Sequence, residues 1–343
     1  MFLNNTTAPE GINRTRGKPP FALHVIMEPT WVLIIRLTVE CFIALAGVVG
    51  NLVVCYAITK HRTLSAAPTN TYIRNVAVSD LGTLLIAFPL VIVRERLPYW
   101  PLGGFVCRYI FPQIDIFFGV SVWTVVAIAM DRHRILTADV PRLTARSLTK
   151  PRFICAAIWL LSFLVISLPL ILVFEFHEFP NRKPKCVARW GKGTYQLQIA
   201  YNIAVCLVTY VLPLSVIVIT YLAIKRKLFK SESFHLEMAE NSFSSGSFRD
   251  SQISLVRSRS KRLKTIMTPV VVVFAITILP LNLLRVVPRF LPVARSMVYV
   301  KYSNVIYNAC VFLFICNAAC NPLIYALVSK RFRQSFRDLL IWL

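Results

Sequence analysis

Long apolar runs dominate this chain and leave few architectures open to it. Seven can be read along 343 residues: Trp31–Thr59, Ile73–Ile92, Gly104–Met130, Phe153–Phe174, Gln196–Ala223, Thr265–Val287 and Ser303–Val328. Crossing the ~30 Å hydrocarbon core of a bilayer as a helix takes about 20 apolar residues. Each run meets that length and is far too long for a buried strand. In lipid no water satisfies a free N–H or C=O, so the runs must be helices that bond internally. With 56% hydrophobic residues, the chain cannot keep this surface wetted as soluble domains. The expected fold class is all-α: a seven-transmembrane helix bundle with a short amphipathic membrane-surface helix after helix 7. Residues 1–28 then form a polar tail, 29–328 the membrane domain and 329–343 the second tail. In that last piece Phe332, Phe336, Leu339 and Leu340 share one helical stripe, as a helix lying along a membrane requires.

Orientation follows from charge and from sequons. Asn4, Asn5 and Asn13 each begin an Asn-X-Ser/Thr triplet, which places the N-terminus on the extracellular face and the C-terminus in the cytoplasm. No apolar run precedes Ile26, so the first span is expected to act as the insertion signal. Of 39 Lys and Arg, 23 fall in or beside the connections 1–2, 3–4 and 5–6 and the tail, in keeping with the positive-inside rule. A net charge of +24 without a soluble basic domain points to anionic inner-leaflet lipid rather than to nucleic acid. The stretch 225–262 is basic at both ends and Ser-rich between, and reads as a disordered inner loop.

Seven of nine cysteines sit inside apolar spans, where a thiol is ordinarily a small packing residue. Cys107 and Cys186 alone fall at outer positions and can pair on an oxidising face. Polar residues within spans are costly and therefore candidates for function. The most demanding is the carboxylate of Asp80. With Ser121 and the amide oxygens of Asn51, Asn317 and Asn321 it offers the oxygen ligands that a sodium ion prefers. Asn75 reads more plainly, as interhelical glue. Pro89, Pro169, Pro213, Pro280 and Pro322 should kink their helices around a cavity.

In order and spacing, several short patterns stand out: Gly50-Asn51, Asp80 in "VAVSD", Trp100, Cys107 with Cys186, and Asp131-Arg132-His133. They continue with Trp159, Pro213 with Tyr221, Phe274 with Pro280, and "NPLIY" from Asn321 and Pro322 to Tyr325. On these residues the chain resembles the rhodopsin-like, class A, G-protein-coupled receptors from Gly50 to Phe336, most of all their peptide and neuropeptide members. The resemblance implies a plasma-membrane receptor that activates a heterotrimeric G protein, with arrestin and receptor kinases as further partners. It also implies that Asp131 holds Arg132 sideways at rest, that helix 6 swings outward about Pro280, and that Tyr221 and Tyr325 then turn inward. No enzymatic activity is expected, and no cofactor beyond the sodium ion.

Two departures from the pattern matter. Ile278 stands where the family keeps a tryptophan, and helix 6 carries Ser260 where some members place an acid opposite the helix 3 arginine. Both lead us to expect raised basal signalling. Ligand identity is narrowed by exclusion: Ile315 replaces the retinal lysine of opsins, and Ile114 the aspartate of amine receptors, with Asp115 rotated one step away. The remaining 16 basic residues lie on the outer side, which favours a ligand bearing negative charge. A neuropeptide is the first expectation; a small anionic metabolite, lipid acid or nucleotide is the alternative, and a transporter a remote one. Gln113, Asn282, Arg285, Arg289, Tyr302 and Asn308 are the expected lining residues.

Overall fold

The structure, a computed structural model, describes residues 28–60, 68–137, 149–180, 182–191, 195–241, 272–287, 297–328, 333–334 and 337. Six helices are long and apolar enough to cross a membrane: α1 (Thr30–Lys60), α2 (Thr69–Arg96), α3 (Gly103–Arg134), α4 (Lys150–Val173), α5 (Tyr195–Lys227) and the span Tyr302–Ala326 within α7 (Met297–Val328). The shorter apolar helix α6 (Val272–Val287) completes a seven-helix bundle. Burial runs inside out relative to a soluble protein. Leu45, Leu52, Phe153, Leu160 and Leu172 face outward, while Asn51, Asp80, Ser121, Thr124 and Asn282 are buried. Apolar exteriors with polar side chains bonded between helices are what a lipid solvent selects.

Asn75 is an interhelical tie: its amide donates to Thr124 Oγ1 at 2.8 Å, and the Trp159 indole N–H donates to its Oδ1 at 3.0 Å. α2, α3 and α4 are thereby joined at one point. α1 meets α7 through Gly47, where a Cβ would lie 2.8 Å from Ala319 Cβ and 3.0 Å from its Cα. Backbone cannot retreat as a flexible side-chain tip can. We therefore expect Gly47→Leu to lower stability by about 1–3 kcal/mol, read as a drop in the melting midpoint of purified protein.

Proline leaves a regular signature. The π-turns Thr83–Ala87, Val106–Ile110, Phe163–Ser167 and Leu207–Val211 end two residues before Pro89, Pro112, Pro169 and Pro213. A proline ring has no N–H and collides with the carbonyl four residues earlier; widening the preceding turn relieves both. Pro280 and Pro322, by contrast, sit in uninterrupted α-helix. The kinks expected from the sequence thus divide into two kinds.

α5 differs from expectation at its far end. It continues as helix to Asn241, across part of the stretch read as disordered. Leu, Lys, Glu, Met and Ala in that segment carry strong helix propensity, which outweighs the low hydrophobicity that suggested disorder. The rest of that loop lies outside the described residues, as do Asn4, Asn5, Asn13, Arg289 and the apolar stripe of the tail; Arg333, Gln334 and Arg337 there are helical.

Between α4 and α5 the chain forms an antiparallel hairpin of β1 (Phe174–Phe179) and β2 (Arg182–Ala188), with Phe176 opposite Cys186. A disulfide joins Cys186 to Cys107 at the start of α3, bridging 79 residues. Trp100 reinforces the join: its backbone N–H donates to Pro184 O, its indole N–H donates to Gly103 O, and its ring meets Phe111 edge-on at 5.2 Å. Gly103 takes φ +73°, a conformation that admits glycine without strain. The hairpin is held across the bundle's disulfide end.

Candidate functional site

Beneath that hairpin, α2, α3, α6 and α7 line a partly open cavity of about 70 Å³. Each helix contributes residues at helical spacing: Ala87, Phe88, Val91 and Arg94 from α2; Phe111, Ile114 and Asp115 from α3; Leu281 and Arg285 from α6; Tyr307, Val311, Phe314 and Ile315 from α7. Steps of three and four residues put each set on one inward stripe. Most of the wall is apolar, with three charged groups set into it. Arg285 Nη2 pairs with Asp115 Oδ1 at 2.8 Å, and the two side chains are only 10% and 16% exposed. Arg94 donates to the Cys186 carbonyl at 2.7 Å and lies 5.2 Å from the Phe111 ring centroid. The disulfide therefore also fixes an arginine in the cavity wall.

Of the six lining residues expected from the sequence, Arg285 is the one the structure brings to this cavity among the described residues. Asn282 is buried in helix contacts, accepting from Thr209 at 3.3 Å and donating to Ile278 O at 3.1 Å. Asn308 donates to Glu28 Oε1 at 2.8 Å, and Tyr302 is 43% exposed. Gln113 is half-buried in the 3₁₀ turn before α3 proper. The cause is helical phase: a one-residue error rotates a side chain by about 100°. Spacing carries the missing signal, because Tyr307, Val311 and Phe314 follow a four-then-three rhythm that excludes Tyr302 and Asn308.

A second polar cluster lies deeper. Asp80 is 1% exposed and accepts from Ser121 Oγ at 3.1 Å and Asn321 Nδ2 at 2.8 Å. Asn317 donates to Thr277 Oγ1 on α6 at 2.8 Å, and Asn51 donates to Gly47 O and Ala318 O. Ser121, Asn317 and Asn321 share a small cavity with Phe274. The amide oxygen of Asn51 is buried without a hydrogen-bond partner. One carboxylate among hydroxyl and amide oxygens suits a hard monovalent cation better than a transition metal. Above the cluster, Ile278 and Phe274 pack with Phe118 and Val122.

At the opposite end, Asp131 Oδ2 accepts from Thr69 Oγ1 at 2.7 Å, which ties the end of α3 to the start of α2. Arg132, His133 and Tyr221 are half-buried there, and Tyr325 packs on Val54, Ala57, Ile58, Ile73 and Ala77. Ser260 lies outside the described residues.

A seven-helix membrane bundle with a disulfide-anchored hairpin over a cavity, a polar core, and Asp131 and Arg132 adjacent at the far end of α3 defines a membrane receptor class. The match to the 7 transmembrane receptor (rhodopsin family) covers residues 50–325, and the chain belongs to that family. It is similar to the tachykinin-like peptides receptor 86C of Drosophila melanogaster, with 29% identity over 94% of this chain and 60% of the fly protein. Against the neuromedin-K receptor of Cavia porcellus the figures are 26%, 94% and 69%. For the substance-K receptor of Canis lupus familiaris they are 29%, 95% and 79%. The chain thus spans somewhat under two thirds of the fly receptor's length.

Proposed function

We propose that the chain is a plasma-membrane receptor that binds an extracellular peptide in the cavity under the hairpin and activates a heterotrimeric G protein. The cavity supports this reading, because it lies at the disulfide end and touches α3 and α6 together. The peptide receptors named above agree with it. The sequons at Asn4, Asn5 and Asn13 favour an extracellular N-terminus and hence a cytoplasmic Arg132 end.

In this reading a ligand changes the balance between two packings of α6 by binding one of them more tightly. α6 is tied to the rest of the bundle at Asp115, Thr209 and Asn317. Pro280 lies between the first of these ties and the third, where a helix lacking one backbone bond bends most readily. Outward movement of the far half would open a groove beside Arg132, with Tyr221 and Tyr325 steadying it. Asp80, Ser121, Asn317 and Asn321 would hold a sodium ion only in the packing that keeps them close. Arrestin and receptor kinases would use the same open face.

The reading is tested by nucleotide exchange on purified G proteins with the full chain in lipid nanodiscs and a neuropeptide panel. Exchange stimulated by a peptide supports it; saturable solute uptake without exchange would point to a transporter. Ile278 packs with Phe118, Val122 and Phe274 at the position where the family resemblance implies a tryptophan, so we expect measurable exchange without ligand. Ile278→Trp should lower that basal rate severalfold, and a basal rate at the empty-nanodisc level would contradict the expectation.

A further inference from the structure

The charged groups in the cavity wall do not balance. Arg94 and Arg285 supply two guanidinium groups, and Asp115 is the one carboxylate beside them among the lining residues. Asp115 is committed to Arg285 at 2.8 Å. Arg94 has no acidic partner among the described residues; one N–H reaches a carbonyl and the face of the guanidinium meets Phe111. An arginine in a largely apolar wall with one neutral acceptor has donors to spare, and no acid among the described residues compensates its charge. Phe88, Val91, Phe111, Val311 and Phe314 form much of the remaining wall.

We propose that the cavity takes a single carboxylate carried on an apolar group, with Arg94 as its anchor and Asp115 limiting the charge it accepts to one. This rests on the receptor reading above and names the ligand chemistry within it. A guanidinium can hold a carboxylate through two parallel N–H bonds, and the aromatic floor sets the plane in which it lies. With one carboxylate bound, two cations face two anions and the buried site is neutral. A second carboxylate would compete with Asp115 for Arg285, and like charges at such distances repel strongly in a low-dielectric wall. Asp115 therefore acts as a positioning and selectivity residue, holding Arg285 and refusing dianions.

The chemistry could be supplied by a free peptide C-terminus or by an Asp or Glu side chain. Affinity selection with the full chain in nanodiscs separates these sources. The probes are tetrapeptide libraries that differ only in their acids: a free C-terminus without Asp or Glu, a C-terminal amide with one Asp or Glu, an amide without either, and a free C-terminus with one Glu. We expect one of the two monoacid libraries to be retained at least about tenfold over the neutral amide library, as loss of a charge-assisted contact predicts. Arg94→Gln should erase that preference, and Arg94→Lys should keep part of it. Asp115→Asn should raise retention of the diacid library relative to the monoacid one, a gain that a misfolded variant cannot produce.

Equal or greater retention of the neutral library, no retention of any library, or a preference untouched by Arg94→Gln would each overturn the proposal. Nucleotide exchange on the retained peptides keeps the two readings apart. Monoacid binding without exchange leaves this site standing and removes the receptor reading. Exchange driven by neutral peptides does the reverse.

Discussion

Arg36→Met should destabilise the receptor by about 3–5 kcal/mol, the cost of stranding buried charge. Arg36 bonds three carboxylates at once: Glu28 at 3.2 Å, Glu40 at 2.8 Å and Glu95 at 2.7 Å. Arg96 adds contacts to Glu28 and Glu95, and Asn308 donates to Glu28. This network ties α1, the end of α2 and α7 together. Methionine keeps the apolar bulk of the side chain but leaves three acids with Arg96 alone, and Glu40 is fully buried. Its Oε2 already lacks a partner, as does that of Glu95. Three acids against two arginines leave one surplus negative charge. Removing that surplus with Glu40→Gln should be neutral or stabilising, since an amide oxygen still accepts from Arg36. The melting midpoint should therefore fall for Arg36→Met and hold or rise for Glu40→Gln. Equal losses would mean that shape rather than charge governs the corner.

The same corner predicts a response to acid. Burial works to raise the pKa of Glu28, but the Asn308 hydrogen bond and the Arg36 and Arg96 charges outweigh it and hold the carboxyl below its ordinary value of 4.5. A carboxyl lowered on folding stabilises the folded state fully above its unfolded pKa and loses that contribution as pH falls through the lowered value. The melting midpoint should accordingly drop below about pH 4.5, and Glu28→Gln should flatten that part of the profile. A profile unchanged by the substitution would show that other carboxyls carry the acid response.

Much of this arrangement was open to sequence reasoning, for identifiable reasons. Apolar length alone yields the spans, because a bilayer imposes one thickness on them all. Asp80, Ser121 and Asn321 meet in the structure, where polar side chains inside an apolar bundle find partners in one another. The Arg36 corner was missed. Glu40 sits one turn after Arg36 inside an apolar run, and the outer arginines read as a ligand-attracting surface instead of partners for buried acids. Asp115 was set aside because it lies one residue from the position amine receptors use. Across the bundle it faces an arginine 170 residues away, a pairing that no local pattern announces. The helical continuation of α5 to Asn241 was hidden for the opposite reason: composition reported polarity, while backbone propensity decided the conformation.

Arg132→Ala should reduce ligand-stimulated nucleotide exchange to background, a fall of at least about a hundredfold if a charge-assisted contact and the desolvation behind it are both lost. Ligand retention and melting midpoint should change little, because Arg132 lies at the end of α3 remote from the cavity that starts at Phe111 and Asp115. About 17 helical residues at 1.5 Å each, or roughly 25 Å, separate Asp115 from Arg132 along α3. Binding at one end can reach the other only by repacking helices, so the two readouts should come apart. In the proposed reading Asp131 holds the resting state. Its carboxylate accepts from the Thr69 hydroxyl at 2.7 Å, which ties the end of α3 to α2. Asp131→Asn keeps that hydrogen bond but removes the charge opposing the guanidinium, and should raise ligand-free exchange. Thr69→Ala removes that hydrogen bond without discharging the carboxylate, and should raise exchange less. Should Arg132→Ala signal normally in a protein that still melts and binds as the parent does, the rim pair has no part in coupling. The contact with the G protein must then be sought along the helical extension of α5 beyond Lys227.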